Sequence, residues 1–156
     1  MPAQFNQSHI SAIISLAEKN VAQAGLPFSA MILDDKGEIL STGVNQESQC
    51  HDCTAHAEIQ AIRAATKKCR RLSLEGSTLI ASGEPCALCY LAMHVAKISH
   101  IVILTDRHQA SAYGFNYLAS YDNINAQLLD SFSITYLQNS DAIRPFEQYR
   151  KTLNQG

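Results

Sequence analysis

The sequence has no uninterrupted apolar run approaching the ~20 residues that span a bilayer. Its opening stretch, MPAQFNQSHISAII, lacks the basic start and long apolar core of a secretory signal. Charge of either sign is also scarce: 12 basic against 14 acidic residues leave a formal net charge of −2, so no global field attracts polyanions such as nucleic acid. Repeats, linkers and low-complexity tracts are missing too. These absences exclude a membrane-spanning helix and a repeat architecture. We expect a cytoplasmic protein, in which the five cysteines at 50, 53, 69, 86 and 89 are thiols or metal ligands rather than disulfides.

At 156 residues the chain is the size of one ordinary domain and can bury roughly 70% of its unfolded surface in a single core. We expect one domain over residues 1–156, with 140–156 as a C-terminal closing segment. Across 8–23, Ile10, Ile13, Ile14, Leu16, Ala17 and Val21 recur near the helical period, and Gly25-Leu26-Pro27 ends the pattern. Residues 28–33 and 38–44 flank Asp34-Asp35-Lys36-Gly37, which predicts a hairpin. The polar stretch 45–53 reads as a loop. An alanine-rich helix follows from about 55 to 68, with Thr54 or Asp52 as its cap. Strands are expected at 77–82 and 99–105 with a helix at 85–96 between them, and weaker signals place a strand at 131–137 and a helix at 145–153. Alternating strands and helices imply a partly parallel sheet covered on both faces.

Two short motifs carry chemistry: His56-Ala57-Glu58 and Pro85-Cys86-Ala87-Leu88-Cys89. A C-x-x-C pair alone is compatible with a redox pair, a structural zinc half-site or coincidence. Here an imidazole precedes it, with a carboxylate two residues beyond. Cys86 and Cys89, three apart on a helix, can approach one ion from a single turn. With His56 they offer three ligands to a tetrahedral Zn²⁺ and leave a fourth position for water, as in catalytic rather than structural sites. Pro85 suits the first helical position, and the helix N-terminus favours the thiolate that metal binding requires. Because sites in open α/β sheets form where strands end and helices begin, the metal is expected between two helix N-termini. Zinc lowers the pKa of bound water from about 15.7 toward about 7. Glu58 is the spare group that can take that proton and return it, a role worth roughly 10²- to 10⁴-fold.

The order H-x-E…P-C-x-x-C resembles the signature of zinc-dependent nucleobase deaminases. With LPFSAMILDD (26–35), Asn45 in GVNQ, TAHAEIQAIRAA (54–65), EPCALC (84–89) and AYGF (112–115), the chain is similar to the cytidine deaminase superfamily, and within it to the guanine deaminase branch, over roughly residues 8–120. The resemblance implies a three-layer α/β/α sandwich around a five-stranded mixed sheet, usually a homodimer. It implies Zn²⁺ on His56, Cys86 and Cys89, with Glu58 shuttling protons. The base would meet Asn45, which as a bland alternative is a turn residue, and Phe28, which otherwise is ordinary core packing; Ala57 would lie beside it. The implied reaction is hydrolytic release of ammonia from a purine base, guanine first. The partners are then a small base and water, without membrane or nucleic acid.

The chain departs from that branch at two points. Asn116 and Tyr117 stand after Gly-Phe where acidic residues are usual, and we expect one of them to replace the acid. The sequence ends in LNQG rather than in an aromatic residue, although Phe146 and Tyr149 lie nearby. A tRNA adenosine deaminase, a deaminase of cytosine, adenine, a triazine or a pterin, and a noncatalytic zinc-stabilised interaction module are the alternatives. Elsewhere, Cys50-His51-Asp52-Cys53 could form a second metal site, but Cys53 is better read as packing or lining the pocket rim. Lys67, Lys68, Arg70 and Arg71 read as a solvated helix end, and His94 and His100 as structural.

Overall fold

Asp34 sets the first turn: its Oδ1 accepts the backbone N–H of Lys36 and of Glu38, each at 2.9 Å, while Gly37 takes φ +85°. Strands β1 (Ser29–Leu33) and β2 (Ile39–Val44) therefore fold back on each other antiparallel, as the hairpin reading expects. The computed structural model describes residues 4–155, so Met1, Pro2, Ala3 and Gly156, included in the expected single domain and closing segment, lie outside the described residues.

Around this hairpin come α1 (Gln7–Ala22), a short α2 (Glu47–Cys50), α3 (Ala57–Cys69), β3 (Thr78–Ala81), α4 (Ala87–Val95) and β4 (His100–Ile103). Then follow α5 (Arg107–Ala112), a 3₁₀ turn (Leu118–Asn123), α6 (Ala126–Asp130), β5 (Ser133–Tyr136) and α7 (Arg144–Gln155). The sheet order is β2-β1-β3-β4-β5. β1 pairs antiparallel with β2 and β3, while β3, β4 and β5 run parallel, giving the mixed five-stranded sheet of an α/β fold.

Register divides the core. Ala30 pairs with Ala81 and Ile32 with Leu79, then Leu79 with Ile101 and Ala81 with Ile103, and all six point to the face covered by Ala57, Ala61 and Ala65 of α3 and Tyr90 and Met93 of α4. Met31, Ile80 and Val102, one residue out of phase, meet Ile10, Ile13 and Ile14 of α1 on the other face. Period-two alternation on a sheet buried on both sides produces the near-continuous apolar strands of the sequence.

Three expectations need correction. The helix bearing Glu58 starts at Ala57, because the His56 carbonyl accepts the first helical N–H, from Gln60, at 2.9 Å; His56 is thus the N-cap. Asp52 instead closes a turn, taking the N–H and hydroxyl of Thr54 at 2.9 and 2.6 Å. The cysteine helix likewise starts at Ala87, with Cys86 as N-cap and Pro85 just outside, since the Cys86 carbonyl receives Tyr90 N–H at 3.0 Å. The polar stretch 45–53 is not all loop, for it contains α2.

Gly43 lets α3 lie directly on β2. A Cβ there would collide with the Ala57 carbonyl oxygen and come within 2.6 Å of Ala61 N, both rigid backbone. Gly43→Ala should therefore lift the helix that presents Glu58 and destabilise the fold by about 1–3 kcal/mol. Urea unfolding, scored together with metal content, checks this; unchanged stability would show that α3 does not depend on the close approach.

Candidate active site

Parallel pairing of β3 and β4 places the start of α4 at the end of β3, next to the start of α3. His56 and Cys86 occupy the two N-cap positions, and Cys89 follows one turn into α4. The His56 Nδ1 lies 3.5 Å from Cys86 Sγ and 3.4 Å from Cys89 Sγ, and the two sulfurs are 3.8 Å apart. A tetrahedral ion with metal–sulfur bonds of about 2.3 Å and metal–nitrogen bonds of about 2.0–2.1 Å requires edges of about 3.8 Å between sulfurs and about 3.6 Å from sulfur to nitrogen. The donor set therefore fits Zn²⁺ without rearrangement. Among the described residues, this is the group of three or more His, Cys, Asp or Glu side chains close enough to share an ion.

The expected second site does not form. Cys50, His51 and Cys53 are exposed, and Asp52 is committed to Thr54 and Arg63. Nor does Cys53 reach the pocket rim. His94 is exposed near the end of α4, and His100 starts β4; neither joins the metal-binding group.

Electrostatics match the geometry. The hydrogen bond with Cys89 and then that with His56 bring the Cys86 thiol down to about 4 against the opposing effect of burial. Its hydrogen bond with Cys86 raises His56 to about 9, helped by the charges of Cys86, Glu58 and Glu47. Its contact with Cys86 and then burial push the Cys89 thiol well above its ordinary value. Glu58, 4% exposed, lies with Oε2 3.1 Å from Cys89 Sγ, and burial raises its carboxyl to about 7.

Beside this group is a cavity of about 170 Å³ lined by the apolar residues Leu26, Phe28, Ala57 and Phe115 and by the polar residues Asn45, Glu47, Asn116 and Tyr117. Phe28 meets Phe115 edge-on at 5.0 Å and Phe146 of α7 at 5.4 Å, and Phe115 also touches Tyr149 at 5.1 Å. The C-terminal helix thus backs the aromatic wall. All the predicted base contacts reach the cavity, though with duties that the sequence did not show. Asn45, buried, accepts Glu47 N–H at 3.1 Å and donates to Glu47 Oε1 at 2.7 Å. Tyr117 spends its hydroxyl proton on the Glu84 carbonyl at 2.6 Å. Asn116 is exposed at the mouth.

Residues 3–105 match the cytidine and deoxycytidylate deaminase zinc-binding region. The chain belongs to this deaminase family. Guanine deaminase of Bacillus subtilis is 29% identical over 154 residues, covering 96% of each chain; its crystal structure superposes with a TM-score of 0.72 over 94% of this chain and 95% of that one, at 28% identity. The tRNA-specific adenosine deaminase of Haemophilus influenzae is 28% identical over 151 residues, 96% of this chain and 87% of that protein. A tRNA(Ile)-lysidine synthase of Deinococcus deserti is 32% identical over 113 residues, of which this chain spans only 21% of the length.

The deaminase is accordingly a zinc-binding hydrolase acting on C–N bonds. Reading the sequence missed two carboxylates of its pocket. Glu47 stands two residues after Asn45 in a segment read as plain loop, and Glu84 directly precedes Pro85. The only signal available was an acidic side chain beside each motif. Metal uptake offers a direct check of the electrostatics. At about pH 8, Cys86 is already thiolate, whereas His56 and Cys89 each hold a proton that a metal must displace, so zinc binding to metal-free protein should release about two protons from the ligands. Affinity then rises with pH, and less steeply once His56 titrates near 9, because Cys89 still holds its proton there. Calorimetry in buffers of different ionisation enthalpy counts those protons; release of none would contradict the protonation pattern.

Proposed function

We propose that this deaminase hydrolyses the exocyclic amine of a free purine base, guanine first, with His56, Cys86 and Cys89 holding zinc and Glu58 carrying protons. The observation that supports this most is the lining of the cavity, where aromatic Phe28 and Phe115, the polar Asn45–Glu47 pair and Glu58 share one small space. End-to-end similarity to a guanine deaminase agrees with it. Against a tRNA substrate, Lys67, Lys68, Arg70 and Arg71 are exposed at the far end of α3, about 14–18 Å along the helix from Glu58, and a chain of net charge −2 has no overall positive field to draw in phosphates.

Bound zinc supplies water acidified enough to be deprotonated near neutral pH. Glu58, held near 7 by burial, is poised to accept a proton and to give one up. It takes one from the water whose oxygen forms the new C–O bond and passes it to the adjacent ring nitrogen. The C–N bond then breaks, the nitrogen leaves as ammonia with a proton delivered through Glu58, and the ring carbon becomes a carbonyl. Of the perpendicular Phe28 and Phe115 rings one stacks on the flat base and the other meets it edge-on, and together they keep bulk water from it.

Glu58→Gln should keep zinc and fold but lose about 10²-fold or more in kcat, since the amide fills the same space without carrying protons. Ammonia release across guanine, adenine, cytosine, their nucleosides and tRNA is the measurement. Guanine should lead; activity confined to cytosine-type rings or to tRNA would overturn the purine-base reading.

The protein is further proposed to act in the cytoplasm as a homodimer. Leu88, Leu91 and Val95, spaced along one side of α4, are 41%, 46% and 73% exposed, an apolar stripe suited to a second copy. Sedimentation should give a dimer for the wild type and a monomer for Leu91→Asp; a dimer unaffected by that change would place the interface elsewhere.

A further inference from the structure

Three carboxylates line the cavity, and their oxygens are not equally free. Glu84 accepts four hydrogen bonds, from Arg107 N–H and guanidinium and from the hydroxyls of Tyr90 and Tyr136, so both oxygens are occupied. Glu58 is buried against Cys89. Glu47 uses only Oε1, which receives Asn45 Nδ2–H at 2.7 Å and lies 3.3 Å from His56 Nε2. Its Oε2 has no partner among the described residues, and the side chain is 35% exposed at the cavity wall. At the positions where an acid was expected after Gly114-Phe115, Asn116 and Tyr117 are neutral.

We infer that Glu47 is the base-reading carboxylate of this pocket: its free Oε2 accepts a hydrogen bond from a ring N–H next to the amine-bearing carbon. The inference rests on the deaminase reading above and names the class of base within it. Glu47 adjoins the metal ligand His56, so it faces the reacting end of the ring rather than the far edge. Asn45 is held in one orientation by the same residue, its Oδ1 on the Glu47 N–H and its Nδ2 on Oε1. A base with an N–H at that position, as in guanine, satisfies the carboxylate. One presenting a lone pair there, as in 2,6-diaminopurine or adenine, sets acceptor against acceptor and is rejected. Specificity is thus supplied from α2 instead of from the segment after Phe115.

Glu47→Gln tests the inference, because the isosteric amide removes the charge and can donate. A charge-assisted hydrogen bond is about twice as strong as a neutral one, so kcat/KM for guanine relative to 2,6-diaminopurine should fall about tenfold. Binding of 8-azaguanine to Glu58→Gln, followed by calorimetry, should weaken about tenfold when Glu47→Gln is added, with zinc content unchanged. Equal losses for both substrates, or undiminished 8-azaguanine binding, would overturn it and leave Glu47 as a positioning residue for His56. Wild type that neither deaminates nor binds any purine would instead overturn the purine-base reading itself, a failure visible before any variant is made.

Discussion

Glu84 is the charge around which the site is assembled. It is 2% exposed, and a buried carboxylate is tolerated only when donors replace its lost water. Those donors come from three elements: Tyr90 on α4, Arg107 at the start of α5 and Tyr136 on β5. The loop between β3 and α4 is therefore tied to the parallel half of the sheet. Two further tyrosines act on the same loop, Tyr117 donating to the Glu84 carbonyl and Tyr121 to that of Pro85. Arg107 also lies over the Tyr121 ring at 3.7 Å, which ties cation, carboxylate and phenols into one network. Pro85 is followed at once by Cys86, so this network sets where the first thiolate stands. Removing one member would leave a buried charge short of a partner, which costs more than the net worth of any single bond.

The pocket divides its labour by polarity. Phe28, Phe115, Phe146 and Tyr149 form a chain of ring contacts from β1's approach to α7, a rigid wall that costs little entropy to order around a flat ligand. Lining the same cavity, Asn45 and Glu47 hold each other in place. Preorganisation of this kind favours recognition because the groups do not have to be reoriented when the ligand arrives. Two helix N-termini meeting at the same place provide the complementary effect for anions: backbone N–H groups favour the thiolate at Cys86 and lie close to the carboxylate of Glu58.

Much of this was written locally in the chain. The hairpin could be read from Asp34 and Gly37, because an Asp side chain that bonds its own backbone and a glycine at positive φ are properties of four consecutive residues. The same holds for α1 and its isoleucines. The helix starts were each misplaced by one or two residues for a reason that is also local: Thr54 and Asp52 bond one another, and the ligands themselves take the N-cap positions. Residues 107–130 gave no clear pattern because α5, α6 and the 3₁₀ turn are too short to show a period.

By itself the sequence determined the identity and order of the residues that could hold a metal, His56, Cys86 and Cys89, and of the carboxylate proposed to carry protons, Glu58, since ligand chemistry belongs to residue type and the i, i+3 spacing of the cysteines to the helix. Only the tertiary structure decided which carboxylates serve the pocket. Glu47, Glu58 and Glu84 are alike as letters, yet one lines the cavity with an oxygen that has no partner among the described residues, one is pressed against a thiol and one is saturated by a distant arginine and two tyrosines. That difference lies in the partners, up to 52 residues away along the chain, and hydrogen-bond satisfaction at such separation is fixed by sheet order and register, which no local pattern encodes.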